Sequence, residues 1–327
     1  MGDPAGCGPA ITCAAWQSIS SDIRRPIYVI GPSKFYTALG QKTVCIQRPQ
    51  DAEDAPTGTL AVLETGFEDV PDIQPGTPDE AAAPAIIKSI ALATAHASSG
   101  LAAGVVTNPI NKALLYKSGF TYPGHTEYIA HLCAQPNQAA PLPVMMLVGG
   151  GLRVALATIH MPLADVPGAI TQDSLRKIAV AVHTAMQNDF GIPTPKLAFT
   201  GLNPHAGESG TIGTEELTII NPAAAALRAQ GLNISDARPG DTVFAEALQG
   251  QFDAVIAMTH DQGLIPVKTL DFWGGVNVTL GLPIVRTSPD HGTAYDTATA
   301  GTARPDSLIA ALRLADTIAT NRANAHV

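Results

Sequence analysis

Short apolar runs alternate with longer stretches of helical character along most of the chain. The runs at 26–31, 43–48, 59–64 and 101–107 are too short for helices and are bounded by turn residues, so they predict strands. Further runs at 143–148, 153–160, 196–203, 254–258, 275–280 and 282–288 read the same way. Gly149-Gly150-Gly151 separates two of them and predicts a hairpin. Helical patterns fill the intervals at 9–18, 32–39, 79–98, 171–189, 215–230 and 306–320. The 171–189 pattern is amphipathic and is ended by Gly191 and Pro193. The 79–98 pattern carries Ala, Ile and Leu on most faces, which suits a buried or interfacial helix. Alternation of this kind predicts the α/β class with a largely parallel sheet.

Residues that carry chemistry fall at the ends of these runs. Ala254–Met258 leads into Thr259-His260-Asp261, the 153–160 run ends in His160, and the 196–203 run is followed by His205 and Glu208. Ligands of open parallel sheets bind just beyond the carboxyl ends of the strands. A single histidine there is most often a hydrogen-bonded structural residue. Three of them form a candidate set for a divalent metal such as Zn²⁺, since three imidazoles and one open position suit a catalytic ion. Their spacing is far too long for a local zinc finger. Asp261 and Asp241 are acidic candidates for proton transfer beside this set.

Lys112 follows the 101–107 run, with an ordinary surface lysine as its alternative reading. Tyr122-Pro-Gly-His-Thr-Glu127 sets His125 and Thr126 at a helix start, a ready anion site whose structural competitor is a threonine cap. The Gly/Pro-rich opening, Met1 to Pro9, allows either an anion cradle or a tight turn, and it lacks the Lys-Ser/Thr ending of a nucleotide P-loop. No stretch matches the dinucleotide fingerprint.

Composition narrows the picture. A chain of 327 residues has room for two ordinary domains or one large α/β unit. Its net charge of −9 argues against nucleic acid as a partner, and an anionic substrate would need the few Lys and Arg concentrated locally. Charged residues make up only 14%, against roughly 25% in an average protein. That low share points to surface covered by another copy of the chain. Four scattered cysteines without a Cys-x-x-Cys pair read as reduced thiols of a cytoplasmic protein. No apolar run reaches the roughly 18 residues of a membrane span, so no membrane partner is expected.

Five segments, taken in order, resemble the 4-hydroxythreonine-4-phosphate dehydrogenase family of pyridoxal 5′-phosphate synthesis. They are Gly2-Asp-Pro-Ala-Gly-Cys-Gly-Pro9; Thr107-Asn-Pro-Ile-Asn-Lys112 with Pro123-Gly-His-Thr-Glu127; Gly201-Leu-Asn-Pro-His-Ala-Gly-Glu208; His260-Asp-Gln-Gly263 with Lys268; and Asn277 through Asp296. The resemblance implies an α/β, two-lobed isocitrate/isopropylmalate dehydrogenase-like fold with largely parallel sheets and an interlobe cleft. The lobes are expected at 1–120 plus 281–327 and at 121–280. It implies that His160, His205 and His260 bind a divalent metal (Zn, Mg, Mn or Co), with ligands shared across a homodimer. It also implies that His125, Thr126, Lys268, Asn277 and Arg286 contact a small phosphorylated substrate.

NAD or NADP is the expected cofactor, bound without the usual fingerprint, with His291, Gly292, Thr293 and Asp296 in the loop that resembles the family's cofactor segment. Lys112, Asp241 and Asp261 are the candidates for moving the proton. The implied reaction is oxidation of 4-phosphohydroxy-L-threonine to a 3-oxo acid that decarboxylates to 3-amino-2-oxopropyl phosphate. Relatives acting on four-carbon sugar-acid phosphates or on diols keep neighbouring substrates open. A metal-dependent phosphohydrolase is the reading from another class, and phosphate release without NADH would select it. The chain departs from the family in three places. It begins at the glycine loop where relatives begin with a strand, Ala10 replaces a usual Glu, and Thr299 stands where Gly is common, which is expected to crowd the cofactor.

Overall fold

The computed structural model describes residues 1–19, 23, 25–135 and 139–325. The chain forms two compact units, Met1–Pro143 with Leu282–Ala319 and Val144–Gly281 with Thr320–Val327. Its strands are β1 (Tyr28–Ile30), β2 (Thr43–Ile46), β3 (Leu60–Leu63), β4 (Val105–Val106), β5 (Val144–Gly149), β6 (Leu152–Leu156), β7 (Lys196–Phe199), β8 (Asn233–Ile234), β9 (Ala254–Ala257), β10 (Val276–Leu280) and β11 (Arg286–Pro289).

In the first unit β1, β3 and β2 form a parallel sheet, and β4 pairs in parallel with β11, Arg286 opposite Val105. The helix Ala83–Ser98 buries two faces. Ile86 and Ile90 meet Leu115, Ile129 and Ile284, while Ala85 meets Ile30, Ile46 and Leu63. This explains why its apolar residues are not confined to one stripe. The same packing corrects the expected boundary near residue 120. Ile129, Ala130 and Cys133 belong to the first unit's core, so the division falls after Pro143.

An apolar cavity of about 390 Å³ lies within this unit, with Trp16, Ile19, Val29, Ile90, Val105 and Leu312 in its walls. Among the described residues β1 pairs only with β3, and β4 only with β11. Each therefore keeps an unpaired ladder edge. The Met1 nitrogen donates to the Ile30 carbonyl at 2.8 Å.

The second unit is built on the strand order β10-β5-β6-β9-β7-β8. β10/β5 and β5/β6 are antiparallel, and the pairs from β6 through β9 and β7 to β8 are parallel. The β5–β6 hairpin turns through Gly150 (φ 58°) and Gly151 (φ 86°), the left-handed pair that a two-residue turn demands. β9 is buried along its whole length, with Val255 against Ala198 and Val243. The amphipathic helix Gln172–Asn188 starts at Thr171, which accepts from Ser174 N while Ser174 Oγ accepts from Thr171 N. Because β6, β9 and β7 run parallel, the segments after them leave the sheet at one edge. No described helix is long and apolar enough to cross a membrane.

Candidate active site

That edge carries the first group of candidate residues. The Thr158 hydroxyl donates to Met258 O at 2.6 Å, fixing the end of β6 to the end of β9. Two residues beyond each, the rings of His160 and His260 lie 5.6 Å apart. His260 opens a helix, His260–Leu270, capped by Thr259 and Gln262. Its Nδ1 is 2.8 Å from Asp261 Oδ1, so the carboxylate orients the ring. Gln262 reaches across to the end of β7, accepting from the Thr200 hydroxyl and donating to Gly201 O at 2.9 Å.

His205 stands apart from the pair. Among the described residues no three His, Cys, Asp or Glu side chains of the one chain gather closely enough to hold a metal. Two imidazoles side by side fit part of the coordination shell of a divalent ion, and the remaining donors must come from elsewhere.

His205 begins a left-handed turn. His205, Ala206, Gly207, Glu208 and Ser209 have φ of 52°, 51°, 76°, 42° and 57° in succession. Left-handed backbone costs roughly 1–2 kcal/mol for a residue with a Cβ, so the four non-glycine residues together store roughly 4–8 kcal/mol. Strain on this scale persists only where surrounding contacts hold it.

The other candidates of this unit are spread along it. Asp241 is exposed, and its neighbour Gly240 lies against Gln262. Lys268 Nζ sits 5.6 Å over the Phe272 ring. Asn277 is in β10 opposite Leu147, and its buried Oδ1 has no hydrogen-bond partner among the described residues.

The first unit holds a second group. Arg286, only 3% exposed, donates from Nη2 to the Thr107 hydroxyl at 2.7 Å. Burial lowers its pKa to about 10, a fall that the Glu127 carboxylate opposes. His125 starts the helix His125–Leu132. Burial, then the positive charges of Arg286 and Lys112 among others, hold its pKa well below the usual value, so the ring is neutral. Lys112 extends toward the same helix start, where a Cβ on Gly124 would lie 3.3 Å from Nζ. Thr126 and Glu127 follow in the first turn. A buried guanidinium, a lysine and a neutral imidazole at a helix N-terminus form a site for an anion. Lys268 and Asn277 belong to the other unit.

The glycine loop and the 290–296 segment are joined. Ala5 N donates to Asp3 Oδ1, Gly6 N to Asp3 O and Cys7 N to Thr293 O. These three amides are engaged inside the protein, as a tight turn requires. A Cβ on Gly6 would lie 2.7 Å from Thr293 O, which explains the glycine. His291 and Gly292 are exposed, and Thr293 is partly buried. Asp296, expected in a loop, lies in the first turn of the helix Tyr295–Ala300. Thr299 donates to Tyr295 O and packs against Gly76. Sequence reasoning missed Thr107, Gln262, Asp3 and Tyr295, which act through their contacts with other residues. All four lie inside the five family segments, and that is the signal that could have found them.

Residues 22–315 match the family model described as Pyridoxal phosphate biosynthetic protein PdxA. The chain is 48% identical over 328 residues to a 4-hydroxythreonine-4-phosphate dehydrogenase of Caulobacter vibrioides, covering 98% of this chain and 96% of that one. Among solved structures it matches the 4-hydroxythreonine-4-phosphate dehydrogenase from Klebsiella pneumoniae with a TM-score of 0.86 and 36% identity, over 98% of both chains. A terephthalate 1,2-cis-dihydrodiol dehydrogenase from Burkholderia xenovorans matches with a TM-score of 0.66 and 27% identity, over 97% and 96% of the two chains.

Proposed function

The chain belongs to the 4-hydroxythreonine-4-phosphate dehydrogenase family of oxidoreductases, and on that premise we propose that it oxidises 4-phosphohydroxy-L-threonine with NAD or NADP. The 3-oxo acid formed carries its carboxylate β to the new ketone and loses CO₂, giving 3-amino-2-oxopropyl phosphate. The observation that carries this reading is the buried Arg286 beside His125 and Lys112, a cationic pocket in a chain of net charge −9. Its planar fork suits phosphate oxygens, and neutral His125 donates without adding charge. Thr126 adds a hydroxyl at the same helix start, and Lys268 and Asn277 are the candidates for the remaining substrate contacts.

Hydride leaves the substrate carbon only as the hydroxyl proton is removed. Asp261, Asp241 and Lys112 are the groups proposed to take that proton, with Asp261 already holding the His260 ring. His160 and His260 would hold a divalent metal (Zn, Mg, Mn or Co), with His205 supplied by a second copy of the chain. Such an ion polarises the oxygen as a Lewis acid. A homodimer is supported by the apolar side chains that the second unit leaves exposed, Leu163 at 75%, Ile265 and Phe272 at 63% and Trp273 at 51%. The segment His291, Gly292, Thr293 and Asp296 is proposed to contact the nicotinamide cofactor. Free cysteines throughout agree with a cytoplasmic setting.

A four-carbon sugar-acid phosphate is the closest alternative substrate and would use the same pocket. A diol lacks the phosphate that this pocket is proposed to hold. The test is an NADH absorbance assay with 4-phosphohydroxy-L-threonine, with and without a chelator. Turnover that the chelator abolishes supports the proposal. Release of inorganic phosphate with no NADH overturns it.

A further inference from the structure

The strained turn that begins at His205 rests on a side chain to which nothing above gives a role. We propose that Glu216 is a positioning residue for His205, its carboxylate locking the left-handed turn so that the imidazole is presented at a fixed place. This rests on the reading of His205 as a metal ligand.

Glu216 is only 1% exposed. Its Oε1 accepts from the backbone N–H groups of Leu202 and Asn203, both at 2.8 Å, and its Oε2 accepts from Asn203 Nδ2 at 3.0 Å. The donors belong to the two residues that lead into Pro204 and His205. The turn closes on the same carboxylate from its other side, because a Cβ on Gly207 would lie 2.5 Å from Oε2 and 2.8 Å from Gly213 O. Gly213 is equally constrained, since its Cβ would lie 2.2 Å from Asn203 Nδ2. Glu216 therefore holds the backbone at the entry to the turn and sets the space into which its middle fits, while Glu215 shares only the Asn203 side-chain amide, at 2.7 Å.

Burial does not do this work. His205, Glu208 and Ser209 are exposed, and Gly207 is the buried residue of the turn. An exposed segment with four strained residues would relax to ordinary backbone unless something fixed it. Three donors converging on an acceptor-only group supply that fixation, and hydrogen bonds to an ionised acceptor are the strong ones. Glu216 also opens a π-helical turn, Glu216–Ile220, a geometry frequent at functional sites. Glutamine has the same shape, yet its amide nitrogen would set a donor against a donor.

The experiment compares wild type, Glu216→Gln, His205→Ala and the double variant, each as the intact protein stripped of metal. Hydrogen exchange at the 202–210 amides reads the lock, and Co²⁺ titration by calorimetry reads its consequence. We expect faster exchange at those amides in Glu216→Gln, Co²⁺ binding weakened roughly 10–100-fold, and no further weakening when Glu216→Gln is added to His205→Ala. Unchanged exchange overturns the lock. Faster exchange with unchanged Co²⁺ affinity overturns its role in presenting His205, as does an equal loss in the His205→Ala background. If wild type and His205→Ala bind Co²⁺ alike, the ligand assignment itself fails and the positioning role goes with it, whatever the exchange data read. Should Glu216→Gln not fold, Asn203→Ser removes the Oε2 arm together with the Asn203 bond to Glu215, and Glu215→Gln beside it separates the two; a loss in Asn203→Ser that Glu215→Gln reproduces in full overturns the role of Glu216.

Discussion

Tyr295 donates its hydroxyl to Asp3 Oδ2 at 2.5 Å, joining residues 292 positions apart in the chain. The Tyr295 phenol oxygen in turn accepts from Asn111 Nδ2 at 2.9 Å, so one phenol connects the glycine loop, the segment before Lys112 and the proposed cofactor segment. Burial and then the Asp3 hydrogen bond push its pKa up to about 12, which keeps it a donor throughout the working range. Tyr295→Phe leaves a buried carboxylate one donor short, a loss of roughly 1–3 kcal/mol. The expected outcome is a lower urea midpoint and weaker NAD binding, read by denaturation and by titration. A variant matching wild type in both would show that Cys7 N and Thr293 O hold the segment without help.

The metal and the dimer are tested together. His160→Ala, His205→Ala and His260→Ala are each expected to lose most bound metal and nearly all turnover, because every ligand of a small set is felt by the whole site. If the set is shared between two copies, mixing inactive His205→Ala with inactive His260→Ala under subunit exchange restores activity. Failure of the mixture to recover, with both variants folded and dimeric, would place all ligands on one chain.

Arg286→Lys replaces a planar fork with a point charge in a buried pocket. Binding of the phosphorylated substrate should weaken by roughly 1–3 kcal/mol, the scale of charge-assisted hydrogen bonds, while NAD affinity stays unchanged. Separate titrations of the two ligands decide the matter. The reverse pattern would assign Arg286 to the cofactor.

The depressed pKa of His125 gives a pH dependence whose sign is fixed. An unfolded chain protonates this ring below about pH 6.5, and the folded chain does not. The unfolded state then binds more protons, so stability is full above about 6.5 and declines as the pH falls below it. His125→Asn removes the titrating ring and should flatten that decline. Urea midpoints at about pH 5.5 and about pH 7.5 measure it, and equal slopes for wild type and variant would count against a buried, neutral His125.

Much of this molecule is legible in its sequence, and the exceptions share a cause. Apolar runs declared β5, β6, β7 and β9, and the Gly149–Gly151 triplet declared the hairpin, because period and turn chemistry are local. The 101–107 run shrank to Val105–Val106, since its pairing depends on β11 almost two hundred residues away. At the candidate site, the three histidines were singled out from their places after strands, and the left-handed turn that begins at His205 was not foreseen. Nothing in Ala206, Glu208 or Ser209 signals left-handed backbone, for their own preferences oppose it. The conformation comes from Asn203, Gly207 and Glu216 together, a tertiary effect that no local pattern carries.

The discontinuity of the first unit sets an order of events during synthesis. Residues 144–281 leave the ribosome before 282–319, so the second unit is available to fold while the first still lacks its closing strand. Until β11 emerges, β4 is without its ladder partner and the anion pocket without its arginine. The Asp3 carboxylate waits longer still, for a tyrosine made 292 residues after it. A nascent chain halted in this interval would display unfilled core around Ile86 and Leu115 and have no competence for substrate. Binding of the proposed phosphorylated ligand would thus arrive all at once, and only after β11 has emerged.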